Sequence, residues 1–211
     1  PEDYVKRLVG MGFPCTRDQI VTSGDVTIAY LNRYFPRQPV YLVGTPALEE
    51  SFRKGGITLS KDADIVVVSF DLTLTYDKLE HACTLIRNGA KFFSTHPDIN
   101  CPTADGFIPD SGAICAAITL STGVEPRYFG KPYAETVAMI SEKTGAALSD
   151  MCIFGDRLYT DIALGRRSGV LSVLVLSGET KAADAEAAAG SDKPDLIYAD
   201  LGQVCAEAFG D

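Results

Sequence analysis

The sequence contains no tryptophan, only two histidines and no pair of cysteines spaced C-x-x-C. The lack of closely spaced cysteines argues against a zinc ribbon and against a small disulfide scaffold. Most of the six cysteines lie in apolar surroundings, so we predict that they are buried free thiols. No stretch approaches the roughly 18 uninterrupted apolar residues of a membrane span, which predicts a cytoplasmic protein without a membrane partner.

Positive charge is also scarce. The chain has 19 Lys and Arg residues against 28 Asp and Glu residues, which gives a formal net charge of −9 at pH 7. This balance argues against nucleic acid as a partner, because nucleic-acid surfaces need a basic face. An acidic chain can still bind phosphate, but only through a local basic or metal-filled site.

Short apolar runs alternate with helical patterns along the 211 residues, which predicts an α/β fold with a largely parallel sheet. The predicted strands are 19–22, 40–43, 65–69, 91–94, 128–129, 152–154, 171–176 and 196–198. The predicted helices are 76–88, 132–143 and 161–168, with a surface helix or loop at 181–190.

The C-terminal third places two carboxylates after an apolar strand. Asp156 follows Gly155 at the predicted strand end, and Asp161 comes five residues later, where a helix begins. Open α/β sheets bind ligands at the carboxyl ends of their strands, and paired carboxylates suit Mg²⁺. A plain alternative is that one of the two aspartates only caps the helix.

A lysine lies in a similar position about 25 residues earlier. In Gly130-Lys131-Pro132 the glycine ends a short strand and the proline opens a helix. A lysine beside metal-binding carboxylates stabilises the negative charge of a phosphoryl group and keeps a nucleophilic carboxylate ionised. The succession of these two motifs favours a phosphate site over a solvated lysine.

These motifs resemble those of the haloacid dehalogenase (HAD) superfamily, in its NagD-like, p-nitrophenylphosphatase-type branch with a large α/β cap. Gly130-Lys131-Pro132 looks like the third motif of that superfamily, and Gly155-Asp156 with Thr160-Asp161 looks like the fourth. Residues 64–79, 95–98 and 109–112 resemble cap segments of the branch, and residues 174–178 resemble its late core strand and loop. The resemblance covers essentially the whole chain.

The resemblance implies a Rossmann-like core with an inserted α/β cap domain. The core would comprise residues 1–31 and 126–211, and the cap would comprise residues 32–125. It also implies a Mg²⁺-dependent phosphatase that acts through an aspartyl-phosphate intermediate. A closing cap favours small phosphorylated metabolites as substrates, because it excludes bulky partners. The branch is compatible with a homodimer.

The resemblance further implies roles for individual residues. Lys131 would be catalytic and contact phosphate and nucleophile, Asp156 would bind Mg²⁺, and Asp161 would hold the metal shell or Lys131. Phosphate or substrate contacts would come from a set of loop residues, in which His96 stands where the branch commonly has Asn. That set is Thr95, His96, Asp98, Gly112, Gly130 and Gly155.

In the superfamily, the nucleophile is the first aspartate of a D-x-D-x-[TV] motif that follows a strand. No such motif follows a strand at the start of this sequence. We therefore expect it upstream of Pro1, on a segment of roughly 40–60 residues, and expect the 211 residues alone to be inactive. Asp62-Ala63-Asp64 matches the D-x-D pattern, but it precedes a predicted strand instead of following one. Asp71 follows the strand and is the alternative nucleophile, although Thr73 replaces the acid/base aspartate.

Two other functions stay open. A non-catalytic protein could keep the phosphate and metal pocket and sense a phosphorylated ligand. Dehalogenase or phosphomutase chemistry on the same scaffold is the third alternative, but relatives with those activities generally carry a different, helical cap.

Overall fold

A computed structural model describes residues 2–210, and for Glu2, Asp3 and Phe209 it describes the backbone alone. The chain forms two compact units, the first ending at Gly130 and the second beginning at Lys131. The mixture of parallel strands and helices confirms the predicted α/β class. Within residues 2–210, no helix has both the length and the apolar character needed to cross a membrane.

The first unit contains a four-stranded parallel sheet of order β1-β2-β3-β6 and a separate antiparallel hairpin, β4-β5. Its strands are β1 (Val40–Val43), β2 (Ile65–Val68), β3 (Lys91–Ser94), β4 (Asn100–Thr103), β5 (Gly106–Pro109) and β6 (Arg127–Tyr128). Its helices are α1 (Glu2–Gly10), α2 (Ser23–Tyr34), α3 (Pro46–Lys54), α4 (Tyr76–Arg87) and α5 (Ser111–Thr122). All four β-branched side chains of β2 are fully buried, as expected of a central strand covered on both faces.

Alternation along the strands divides the core of this unit in two. Val66 and Val68 point to one face, where they pack against helices α4 and α5. On the other side, Phe93 belongs to an aromatic cluster in which the rings of Tyr30 and Phe129 lie 4.7 Å apart. This packing fixes the ends of strands β2 and β3, and the polar loops of the unit follow these strand ends.

The second unit contains a three-stranded parallel sheet of order β7-β8-β9. Its strands are β7 (Cys152–Gly155), β8 (Leu171–Val175) and β9 (Leu196–Tyr198). Its helices are α6 (Glu135–Thr144), α7 (Ala163–Ser168), α8 (Ala182–Ala187) and α9 (Leu201–Phe209), and a π-helical turn spans Leu158–Ile162. Two small apolar clusters, one around Leu164 and one around Leu174, hold helices α6, α7 and α8 to the sheet.

The predicted strand 19–22 is wrong. A 3-10 turn spans Arg17–Gln19, and helix α2 begins at Ser23 with Thr22 as its N-cap. Thr22 Oγ1 accepts from the Asp25 amide, while Asp25 Oδ2 accepts from the Thr22 amide at 2.8 Å. This capping box prevails over the β propensity of the residues just before it.

The cysteine prediction holds only in part. All six are free, but only Cys83 and Cys115 are buried. Cys152 is exposed because it lies on β7, an edge strand of the second unit whose side chains alternate between exposed and partly buried. An apolar sequence neighbourhood therefore does not guarantee burial when a strand has one open face.

Candidate active site

Asp156 begins the loop after β7, and it is oriented by the loop that follows β8. The Glu179 amide donates to Asp156 Oδ2 at 2.8 Å. The Thr180 hydroxyl donates to the Asp156 carbonyl oxygen at 2.6 Å, and the Thr180 amide donates to the same oxygen. These bonds fix both the backbone and the carboxylate of Asp156 at the carboxyl end of the sheet.

Two glycines leave the space that the carboxylates occupy. A Cβ atom on Gly178 would lie 2.1 Å from Asp156 Oδ2, and a Cβ on Gly155 would lie 2.1 Å from the Cβ of Asp161. Real Cβ atoms do not approach other atoms so closely. Both positions therefore require glycine, and Asp161 lies directly against the residue that precedes Asp156.

Lys131 pairs with Asp161 within the second unit. Lys131 Nζ donates to Asp161 Oδ1 at 2.5 Å, and the Arg157 amide donates to Asp161 Oδ2 at 3.3 Å. The Asp161 side chain is 7% exposed, whereas that of Lys131 is 51% exposed. The pair thus presents a half-exposed ammonium group that a buried carboxylate holds in place.

The donor set of this region fits a hard divalent cation such as Mg²⁺, which prefers carboxylate oxygens and water. Asp156 and Asp161 provide the carboxylates. The buried hydroxyl of Thr160, between them in the sequence motif, finds no hydrogen-bond partner among the described residues. A buried oxygen without a partner in this motif is compatible with a bound ion or its water shell.

The other predicted residues come together in the first unit. Thr95 and His96 follow β3, and Thr95 is fully buried. A Cβ on Gly130 would lie 2.9 Å from the Thr95 carbonyl oxygen, and a Cβ on Gly112 would lie 2.3 Å from that of Pro97. The Gly112 amide also donates to the Asp98 carbonyl oxygen at 2.8 Å.

His96 is more enclosed than a loop histidine usually is, since its side chain is only 17% exposed. Its Nε2 atom lies 2.7 Å from Asp110 Oδ1. Sequence reasoning did not single out Asp110, nor did it single out Gly178 or the Glu179 amide. Asp110 precedes an apolar helical run and is its N-cap, and this capping position is the sequence signal that could have found it.

Asp71, the alternative nucleophile, lies in the first unit with its side chain fully buried. Its Oδ2 accepts from Lys78 Nζ at 2.6 Å, and its Oδ1 accepts from the amide and the hydroxyl of Thr73. Lys78 also donates to the Gly44 carbonyl oxygen, so the pair joins the ends of β1 and β2 to helix α4. These bonds give Asp71 a structural explanation.

Family profiles match both ends of the chain. Residues 1–58 match a profile described as haloacid dehalogenase-like hydrolase, and residues 128–204 match one described as HAD-hydrolase-like. The chain is 34% identical over 182 residues to a 5'-nucleotidase, YutF, of Bacillus subtilis, covering 86% of this chain and 71% of YutF. The chain therefore belongs to the haloacid dehalogenase-like hydrolases.

Similar solved structures identify the branch of the family to which the chain belongs. A 4-nitrophenylphosphatase of Thermotoga maritima superposes with a TM-score of 0.93 and 44% identity, covering 98% of this chain and 79% of that one. NagD of Escherichia coli K-12 superposes with a TM-score of 0.87 and 30% identity, covering 96% and 79%. Within its family, the chain falls in the branch of NagD and the p-nitrophenylphosphatases, which confirms the resemblance given by its motifs.

Proposed function

We propose that this protein is a cytoplasmic, Mg²⁺-dependent phosphatase of small phosphorylated metabolites that acts through an aspartyl-phosphate intermediate. The observation that carries the proposal is the Lys131 ammonium group held on the buried carboxylate of Asp161, next to the Gly155-Asp156 strand end. A fixed cation beside carboxylates suited to a metal is what phosphoryl transfer requires, since charge stabilisation dominates that chemistry.

Each residue of this set has a proposed role. Asp156 would bind Mg²⁺, which when bound neutralises charge on phosphoryl oxygens. Asp161 would keep Lys131 in place and lower the freedom of its side chain, and Lys131 would bind the phosphate through its exposed ammonium group. Gly155 would admit the ligand to the strand end, because a side chain there would occupy the space of Asp161.

The substrate class is proposed as small phosphomonoesters. In its favour are the names of the relatives, a 5'-nucleotidase and a 4-nitrophenylphosphatase. We propose that substrate choice depends on loop residues of the first unit, and that residues 32–125 form the cap while 1–31 and 126–211 form the core. The loop residues are Thr95, His96, Asp98, Gly112 and Gly130.

The direct test is Mg²⁺-dependent release of 4-nitrophenol from 4-nitrophenyl phosphate by the protein as its gene encodes it. We expect turnover that EDTA abolishes, and that the Asp156→Asn and Lys131→Met variants lower by about 100-fold or more. The matched control Lys143→Met, at an exposed lysine of α6, should keep full activity. Activity that survives both EDTA and Asp156→Asn would refute the proposal.

Phosphate and metal binding without turnover is the second candidate for the 211 residues taken alone. It is favoured by the hydrogen bonds of Asp71, whose two carboxylate oxygens are both engaged and whose side chain is buried. Mg²⁺-dependent binding of inorganic phosphate without release of 4-nitrophenol would support it. Turnover by these residues that Asp71→Asn abolishes would instead identify Asp71 as the nucleophile.

We also propose that the protein forms a homodimer, only because its branch of the family is compatible with one. Sedimentation equilibrium at two protein concentrations tests it, and a single monomeric mass at both would refute it.

A further inference from the structure

Three potential metal ligands meet at the carboxyl ends of β2 and β3 in the first unit. His96, Asp98 and Asp110 each offer one atom, and these atoms all lie within 4.8 Å of one another. His96 and Asp98 lie in the loop between β3 and β4, and Asp110 is the N-cap of α5. None of them belongs to the Asp156 and Asp161 set.

The hydrogen bonds around Thr95 determine which ring nitrogen of His96 carries its proton. Thr95 Oγ1 donates its only hydrogen to Ser69 Oγ at 2.8 Å, and both residues are buried. Thr95 Oγ1 also lies 2.8 Å from His96 Nδ1. Because the hydroxyl hydrogen is already used, Thr95 can only accept, and Nδ1 must be the N–H donor.

This tautomer has a consequence on the other side of the ring. A neutral His96 then presents the lone pair of Nε2 to Asp110 Oδ1, 2.7 Å away, with an oxygen of Asp98 close by. Asp110 Oδ1 already accepts from the Ser111 amide. The lone pairs of His96 Nε2 and Asp110 Oδ1 that face each other in this way repel unless a cation lies between them.

Such an arrangement is typical of histidines that bind metals. A metal-binding histidine donates its second ring N–H to an oxygen, which fixes the ring and its tautomer. Here that oxygen is Thr95 Oγ1, and Ser69 in turn fixes the threonine. The nitrogen ligand favours a transition metal over Mg²⁺, because imidazole suits Zn²⁺ and its neighbours in the series.

We propose that His96, Asp98 and Asp110 form a binding site for a divalent transition metal such as Zn²⁺, made of residues other than those of the proposed Mg²⁺ site. Three protein ligands would leave a coordination position open. Tetrahedral bond lengths require Nε2 and Oδ1 to separate by about 0.6 Å from their present distance, which a side-chain rotation supplies. The site goes beyond the proposed function and does not depend on phosphatase activity.

The test is a calorimetric titration of the protein with Zn²⁺. It is carried out in the Asp156→Asn background, which removes one ligand of the other site, and after alkylation of the accessible cysteines, which include Cys152 and Cys205. We expect one Zn²⁺ per chain. His96→Asn and Asp110→Asn should each weaken binding by at least about tenfold, and Asn at position 110 still caps α5.

Two further variants separate a metal site from a structural hydrogen-bond network. Thr95→Val removes the acceptor of the Nδ1 proton and should weaken Zn²⁺ binding about 10- to 100-fold. His81→Asn changes the other histidine, whose Nε2 lies against the Lys61 carbonyl oxygen, and should leave binding unchanged. Thermal unfolding of each variant without metal shows that it is folded before titration.

Three results would overturn the proposal. The first is no saturable Zn²⁺ binding, and the second is binding that His96→Asn leaves unchanged. The third comes from nitrogen NMR: if both ring nitrogens of His96 are protonated at saturating Zn²⁺, a proton and not a metal ion lies between Nε2 and Asp110. An Nε2 atom without a proton beside a protonated Nδ1, at saturating Zn²⁺, would support the site.

Discussion

Gly178 and Asp156 are packed so closely that a methyl group on Gly178 would lie 2.1 Å from the carboxylate oxygen Oδ2. That oxygen also accepts from the amide of Glu179, the next residue. The backbone of the loop after β8 therefore orients the Asp156 carboxylate. A side chain at position 178 would prevent this arrangement, because it would occupy the space of the carboxylate.

Gly178→Ala should weaken Mg²⁺ binding by at least about tenfold, because the added methyl group must displace the carboxylate of Asp156. Calorimetric titration with Mg²⁺ measures the effect. Gly10→Ala is a matched control, since a Cβ there meets nothing within 4 Å. Equal Mg²⁺ affinity in the two variants would show that Asp156 is not a metal ligand.

Lys131→Met should weaken Mg²⁺-dependent binding of inorganic phosphate by at least tenfold, on the order of one charge-assisted hydrogen bond. The buried carboxylate of Asp161 loses its cation in this variant. Because Lys131 is half-exposed, we expect only about 1 kcal/mol of lost stability. Titration with phosphate and urea unfolding measure the two effects separately.

A large loss of stability with unchanged phosphate binding would instead assign Lys131 a structural role. Lys131→Arg helps to distinguish the roles, because it keeps the positive charge but changes the donor geometry. We expect it to preserve stability and to restore only part of the phosphate affinity.

Lys78→Met should lower the free energy of unfolding by about 3 kcal/mol, because it leaves the fully buried carboxylate of Asp71 without its cation. The matched control Lys54→Met breaks an exposed ion pair on α3 and should change stability far less. Urea unfolding measures both. If Lys78→Met abolished turnover and left stability unchanged, Asp71 and Lys78 would belong to the catalytic machinery.

Much of the α/β pattern could be predicted from the sequence because most of its parallel strands are short, largely apolar runs. Strand 196–198 was predicted with the observed bounds, and 40–43 and 91–94 were too. Helix α4 was predicted to within one residue, because its apolar residues recur on one face. The hairpin β4-β5 was not predicted, since its side chains are mostly exposed and show no apolar alternation.

In the candidate site, too, some features could be predicted from the sequence and others could not. Lys131, Asp156 and Asp161 could be singled out because each stands in a motif that follows a strand, and the structure pairs Lys131 with Asp161. Gly178 and the Glu179 amide could not, because backbone donors and empty space leave little trace in a single sequence. The relation of His96 to Asp110 joins residues that the chain separates by a hairpin, and only the fold brings them together.

Stability at alkaline pH should depend on Cys115, which is fully buried. Burial raises the pKa of its thiol from 9.0 to about 11, because the interior disfavours the thiolate. The folded state therefore holds the proton more tightly than the unfolded chain does. The stability that this residue contributes is fully present below pH 9 and is lost as the pH rises toward 11.

Urea unfolding below pH 9 and near pH 11 measures this contribution, in the wild type and in Cys115→Ala. A difference of two pKa units corresponds to about 3 kcal/mol, so the wild type should lose up to that much more stability than the variant. The cavity in the variant lowers stability equally at both pH values and cancels in the comparison. Equal losses in the two proteins, or labelling of Cys115 in the folded protein as fast as that of exposed Cys152, would show that the thiol is accessible to solvent and that its pKa is not raised.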